Sequence, residues 1–274
     1  MNKFPGLKWS FSTLGCPELS LSEIVALAKA NNMTEMELRA IDDRVDLPVL
    51  FKEQFGTPDK LKAYLDAEGM TVTALDTSLK LVGNTPEQRE EFLGFIEWAE
   101  ALGTSYLRIF DGGTFAPDLS SEDVESALDT IAWWRGLKAE NGWKVDIMVE
   151  THDCLTASTA LKQLQDKLDV PLPMLWDTHH TWKKGGENPM DTWKALGNNT
   201  VHIHVKDSIS EPSARHPMTY VMLGEGEFPL EETLALLNKK GFSGLVSIEW
   251  ERKWHPYLVP LSEALDKAKA LNWR

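Results

Sequence analysis

Cysteine is nearly absent from this chain, and with it any disulfide scaffold. Only Cys16 and Cys154 occur, far apart and outside any Cys-x-x-Cys spacing. Two isolated thiols in 274 residues fit a reducing compartment better than a cross-linked secreted fold. No run approaches the roughly 20 apolar residues of a membrane span. The opening Met-Asn-Lys-Phe-Pro-Gly-Leu-Lys-Trp-Ser lacks the apolar centre of a signal peptide. The expectation is a cytoplasmic protein that does not engage a membrane. Positive charge is scarce: 28 Lys and Arg stand against 42 Asp and Glu, a formal net charge of −14. Nucleic-acid binding normally demands a basic surface, so no such partner is expected. Also missing is a glycine-rich phosphate loop after the first strand-like segment, which runs into Ser12-Thr13-Leu14-Gly15-Cys16-Pro17. That counts against a doubly wound dinucleotide-binding sheet.

What is present is a regular alternation. Strand-like runs are read at residues 7–13, 34–39, 71–76, 106–110, 145–150, 174–177, 201–205 and 245–250, and stretches of helical period lie between them. Ser20-x-x-Glu23 predicts a capping box. Thr57-Pro58 and Thr85-Pro86 each put a capping hydroxyl before a proline at the first helical position. Gly69 and Gly103 stand where C′ glycines end helices, and Asn188-Pro189 with Gly197, and Pro229 with Gly241, repeat the pattern. Eight β-then-α units in 274 residues give about 34 residues each, enough for a strand and its crossover helix. No linker or low-complexity segment divides them. The expected fold is α/β, a (β/α)₈ TIM barrel in a single domain spanning 1–274.

Four of the apolar runs end in polar residues of metal-ligand type: Glu150, Asp177, His204 and Glu249. A charge at the end of a buried strand is costly unless paired, and one divalent cation shared by four strands resolves that cost. Strand alternation supports the set. Turning Glu150, His204 and Glu249 inward also turns Met148, His152, His202 and Lys206 inward, and leaves Val145, Ile147, Val149, Val201, Ile203, Val205, Ile248 and Trp250 facing the helices. His202 shares the parity of His204, which is preferred because it lies nearer the strand end. Asp177 has a second reading as a helix N-cap. Three carboxylates and one imidazole suit Mn²⁺ first, with Mg²⁺ or Co²⁺ as alternatives, more than a closed zinc site. His152 and Lys206 are expected to meet substrate or to fix a ligand. Glu37 and Arg108, at the ends of the second and fourth strands, are expected to line the mouth or to pair on the rim. Glu251 is read as a loop partner of Arg252 or Lys253. Of the eleven tryptophans, Trp9, Trp176 and Trp254 are candidates to face a sugar ring, and Trp133-Trp134 is read as core or subunit contact. The connection 208–223 is long enough to be a lid.

The motifs Glu150-Thr-His-Asp, Trp176-Asp-Thr-His-His180, His202-Ile-His-Val-Lys-Asp207, Leu223-Gly-Glu-Gly-Glu-Phe-Pro229 and Ser247-Ile-Glu-Trp-Glu251 come in an order that resembles the xylose isomerase-like barrel family. That family of sugar and sugar phosphate isomerases and epimerases includes ketose 3-epimerases and inosose dehydratases. The resemblance covers nearly the whole chain. It implies that Glu150, Asp177, His204 and Glu249 hold the metal, that Glu150 and Glu249 are the catalytic proton-transferring pair, and that His180 touches substrate oxygens. It also implies a small sugar substrate and a homo-oligomer as one possible assembly. The epimerases carry an arginine soon after the histidine ligand, whereas here Arg215 comes eleven residues later. The expected function is metal-dependent sugar isomerisation or epimerisation through an enediolate. The alternatives are a metal-dependent dehydratase or lyase acting on a keto-sugar or inosose, a non-catalytic sugar-binding subunit, and DNA repair of the endonuclease IV kind, which would require more histidines and a basic groove.

Overall fold

The structure is a computed structural model that describes residues 2–274. Eight parallel strands form one sheet: β1 (Lys8–Phe11), β2 (Glu35–Leu38), β3 (Thr71–Val82), β4 (Tyr106–Gly112), β5 (Asp146–Glu150), β6 (Met174–Asp177), β7 (Thr200–Val205) and β10 (Leu245–Ile248). Neighbours in sequence are neighbours in the sheet, and β10 pairs with both β7 and β1. A single parallel bridge, Ser12 with Glu37, joins β1 to β2 and brings the ring to a nearly closed (β/α)₈ TIM barrel.

The helical layer is richer than one helix per strand. After α1 (Leu21–Ala30) come α2 (Leu47–Phe55) and α3 (Pro58–Glu68) behind β2, then α4 (Pro86–Leu93) and α5 (Ile96–Leu102) behind β3. They are followed by α6 (Ser121–Asn141), α7 (Ser158–Gln165), α8 (Thr178–Lys183), α9 (Pro189–Leu196), α10 (Leu230–Lys239) and α11 (Leu261–Ala270). The boundaries follow the cap chemistry. Ser20 and Glu23 form the predicted capping box, and Thr85 forms another with Gln88 ahead of Pro86. Thr57 makes no side-chain cap, so Pro58 alone marks the start of α3. Gly69 and Gly103 close their helices in the left-handed conformation, at φ 68° and 70°. Gly197 remains right-handed; a side chain there would collide with Trp193. The connection 208–223 holds a small antiparallel hairpin, β8 (Asp207–Ile209) with β9 (Thr219–Val221).

Strand alternation sorts the side chains into two environments. Val145, Ile147, Val149, Ile203, Val205, Ile248 and Trp250 join the large apolar layer between strands and helices. Inside the barrel the apolar content is a small plug of Ala74, Met148 and Leu175, against which half-buried Tyr106 and Val201 pack, Val201 contrary to its expected outward face. Above the plug, toward the C-terminal ends of the strands, the interior is charged. Glu37, Asp76, Arg108, Glu150, Asp177, His204 and Glu249 are all buried there.

Candidate active site

Glu150 and Asp177 are the last residues of β5 and β6, His204 is the penultimate residue of β7, and Glu249 directly follows β10. Strand register places Asp177 opposite His204, and His204 opposite Ser247. The four side chains converge. Each offers a ligand-type atom, and all four atoms lie within 4.8 Å of one another. His204 Nδ1 is 3.2 Å from Glu249 Oε2 and 3.7 Å from Glu150 Oε1. His202 is not part of this set. Asp177 fulfils both of its readings: Oδ1 accepts the His180 N–H at 2.8 Å and caps α8, leaving Oδ2 turned to the centre.

The chemistry of this centre fits a divalent cation. Glu150 Oε2, Asp177 Oδ2 and His204 Nδ1 are buried and held only by ion pairs, to Arg108, Lys206 and Glu249, without a well-aligned hydrogen bond, so their lone pairs remain available to a cation. Buried carboxylates also outnumber the fixed cations among them, Arg39, Arg108 and Lys206. The groups already feel one another. Burial pushes the Glu249 carboxyl up, but His204 and Lys206 outweigh it and hold the group well below the usual range. Burial lifts Asp177 to about 6 despite Lys206. Burial alone would lower His204, yet Glu249 and Glu37 hold it well above the ordinary imidazole value. Glu249 acts at Nδ1, and the remaining ring nitrogen, Nε2, lies 3.0 Å from both oxygens of Glu37.

Glu37 is therefore neither at the mouth nor on the rim. It is fully buried behind the His204 ring, also lies 2.7 Å from His202 Nε2, and is not among the residues that line the cleft. Arg108 is equally buried, lying 3.4 Å from Glu150 and 3.5 Å from Asp76 while reaching the cleft wall. Asp76 had no signal beyond its place at the end of a strand-like run. Lys206 Nζ sits 2.7 Å from Asp177 Oδ2 and also contacts Glu249. Its third partner is Glu251 at 2.5 Å, which in turn accepts from Tyr220 Oη at 3.0 Å. The sequence reading of Glu251 is thus corrected: Arg252 pairs with Glu18 and Lys253 with Asp43. Glu251 shares the inward parity of Glu249, which was the available signal.

A cleft of ≈ 50 Å³ opens over the centre, with Glu150 and Glu249 at its floor and Arg39, Phe110, His152, His180, Glu251 and Trp254 around it. His152 and His180 meet edge to face at 4.6 Å, and His180 Nδ1 is 3.1 Å from Asp177. Burial drives the His180 imidazole well below its ordinary value, so it is a neutral hydrogen-bonding group. The loop bearing His152 is fixed by Asp111, which accepts the N–H groups of His152, Asp153 and Leu155. Of the three candidate tryptophans only Trp254 lines the cleft. Trp176 is buried with its N–H on Thr181, and Trp9 packs against the core. Trp134 is core, and half-buried Trp133 packs beside it. Arg215 is exposed on the hairpin connection and donates to the Trp254 carbonyl. Among the described residues no helix is long and apolar enough to cross a membrane.

A family model described as xylose isomerase-like TIM barrel matches residues 25–273. An inosose isomerase of Halalkalibacterium halodurans is 26% identical over 248 residues, covering 87% of this chain and 85% of that protein. The probable 3-DHS dehydratase AsbF of Bacillus anthracis superposes with a TM-score of 0.76 at 20% identity, over 96% of this chain and 99% of that one. The IOLI protein with a bound zinc atom gives 0.74 at 21% identity, over 96% of both chains.

Proposed function

The chain belongs to the xylose isomerase-like TIM barrel family, and on that premise we propose that it is a divalent-metal-dependent isomerase or epimerase of a small polyhydroxylated carbonyl compound. The metal ligands in this reading are Glu150, Asp177, His204 and Glu249. The cation is Mn²⁺ first, with Mg²⁺ or Co²⁺ as alternatives. The proposal extends to one domain over residues 1–274 working in the cytoplasm without a nucleic-acid partner. One observation carries it: Glu150 and Glu249 approach the same ring nitrogen of His204 from separate strands, so two carboxylates flank one point.

When bound, the cation supplies Lewis-acid polarisation of a carbonyl and the charge that offsets an enediolate. The chain supplies the rest. One of Glu150 and Glu249 removes the proton from the carbon beside the carbonyl, and the other returns it, on the opposite face for an epimerisation. Arg108, 3.4 Å from Glu150, and Lys206, in contact with Glu249, each favour the ionised carboxylate, the form that accepts a proton. His152 and His180 present ring N–H or N atoms to hydroxyls, and Trp254 covers the cleft from the rim.

A second reading, elimination of water from a keto-sugar or inosose, is favoured by His152. It lines the cleft, and against burial Asp153 at 2.8 Å raises its proton affinity, which makes it a proton source for a leaving hydroxyl. Proton exchange in deuterated water with added Mn²⁺, over a panel of ketoses and inososes, tests both. Deuterium uptake with the carbon skeleton and oxygen count unchanged supports the isomerase, and loss of water supports the lyase. Glu150→Gln and Glu249→Gln should each lower the exchange rate by about 10²–10⁴-fold. Exchange that persists in either variant removes that glutamate from the mechanism.

A further inference from the structure

Arg39 follows directly on the end of β2 and lies in the wall of the cleft that holds Glu150 and Glu249. It is only 6% exposed. Its guanidinium donates to the Asp76 carbonyl oxygen and to Ser78 Oγ, each at 3.2 Å, and both acceptors are neutral. No carboxylate oxygen of the described residues comes within the 4.0 Å of an ion pair. The other cations around the cleft are all answered. Arg108 has Asp76 and Glu150, Lys206 has Asp177, Glu249 and Glu251, and His152 has Asp153. Burial and neighbouring Arg108 oppose its charge, Asp76, Glu150 and Glu249 favour it only from beyond ion-pair distance, and two hydrogen bonds use only part of its five donors.

The surroundings hold Arg39 in place. Thr13 Oγ1 accepts the backbone N–H groups of Arg39 and Ala40 at 2.9 and 3.1 Å, and the guanidinium lies 5.9 Å from the centre of the Phe110 ring. Arg108 covers the same ring at 4.0 Å. An immobilised, desolvated fork at the edge of a reaction cleft is suited to bidentate recognition of an oxyanion.

We infer that Arg39 is the anion-recognition group of this site, so that the substrate is a polyhydroxylated carbonyl compound that also carries a carboxylate or a phosphate. The inference rests on the reading of the cleft as an isomerase or lyase site and narrows its substrate class from neutral sugars to acidic ones. Arg39 binds the anionic end while the carbonyl end meets Glu150 and Glu249.

Three probes test it by proton exchange in deuterated water with Mn²⁺: a neutral ketohexose, the same ketohexose bearing a terminal phosphate, and a hexulosonic acid. For the wild-type enzyme kcat/KM should be at least tenfold higher for one acidic probe than for the neutral one. Which acidic probe wins distinguishes phosphate from carboxylate. Arg39→Leu should bring that ratio down toward one, and Arg39→Lys should keep part of it. A defect in folding lowers all three rates together and leaves the ratio where it was. Comparable wild-type rates for all probes, or a preference that survives Arg39→Leu, overturns the inference. Should no probe exchange, the enzymatic reading fails by itself, and calorimetry decides this one separately. Gluconate should then bind the wild type at least tenfold tighter than sorbitol and lose that advantage in Arg39→Leu; equal binding of the two overturns it.

Discussion

His204 has a different neighbour on each side of its ring, and that asymmetry decides what it can do. Nδ1 faces Glu150 and Glu249, while Nε2 lies 3.0 Å from both Glu37 oxygens. An ionised Glu37 accepts from a proton-bearing Nε2, so Nδ1, between Glu150 and Glu249, is the nitrogen whose proton a bound cation would replace. Burial opposes ionisation of Glu37, but His204 and His202 together hold its carboxyl well below the usual range. Glu37→Gln puts an amide N–H₂ where one imidazole now finds an acceptor. It should weaken Mn²⁺ binding by about 10–100-fold, read by competition with a chromophoric chelator. Circular dichroism should remain unchanged, because Glu37 contributes nothing to the outer apolar layer. Unaltered affinity would show that Glu37 does not orient the ligand. The residues that occupy the centre were legible because each ends a strand with consistent parity. The role of Glu37 was not, since its partner lies 167 residues away and closure of the ring alone brings them together. Arg39 was missed for a related reason: what marks it is a place in the cleft wall without a direct ion-pair partner, which only the three-dimensional arrangement reveals.

At the level of elements, the connection after β7 is organised by one buried carboxylate. Asp207 Oδ2 accepts the N–H groups of Gly224 and Gly226, each at 3.0 Å, and Oδ1 accepts those of Phe228 and Ser208 at 3.2 and 2.9 Å. A side chain at Gly226 would overlap Asp207, so the close approach requires glycine there. The hairpin so anchored brings Tyr220 to Glu251 and thereby steadies Lys206. Asp207→Asn turns an amide donor toward backbone donors. The cost is about 1–3 kcal/mol, and amide exchange by mass spectrometry should accelerate in residues 219–228 while β5 remains protected. Equal protection of the loop in both proteins would reassign the anchoring. The sequence indicated a long connection but not its hairpin, because short antiparallel pairs of mixed polarity carry little period-2 signal. The same limit truncated β3. The sequence reading ends that strand at residue 76, yet it continues past a register shift to Val82 with Leu79 and Leu81 buried against the helical layer. Strand positions were otherwise readable to within two residues, since their outward faces are nearly continuous apolar sets.

For the whole molecule, the division between an apolar outer layer and a charged barrel interior couples stability to the centre. The plug of Ala74, Met148 and Leu175 fills only the base of the barrel. Above it, Glu150, Asp177 and Glu249 are confined together with few compensating cations. The unfolded chain solvates those carboxylates, so a cation that binds the folded form alone should stabilise it by linkage, by about 2.7 kcal/mol at a concentration one hundred times Kd. For a chain of this size that corresponds to a rise in Tm of roughly 5–10 °C. Calorimetric scans after exhaustive chelation, and again with Mn²⁺, Mg²⁺ or Co²⁺, measure the rise directly and rank the ions. The same addition to Asp177→Asn should give a much smaller rise. That variant keeps an oxygen to accept the His180 N–H at the start of α8, so its unligated fold is retained while the central carboxylate is lost. If every ion leaves Tm unmoved in the wild type, or if Asp177→Asn responds as fully as the parent, the charged interior is held by Arg39, Arg108 and Lys206 alone, and the proposed metal centre is excluded.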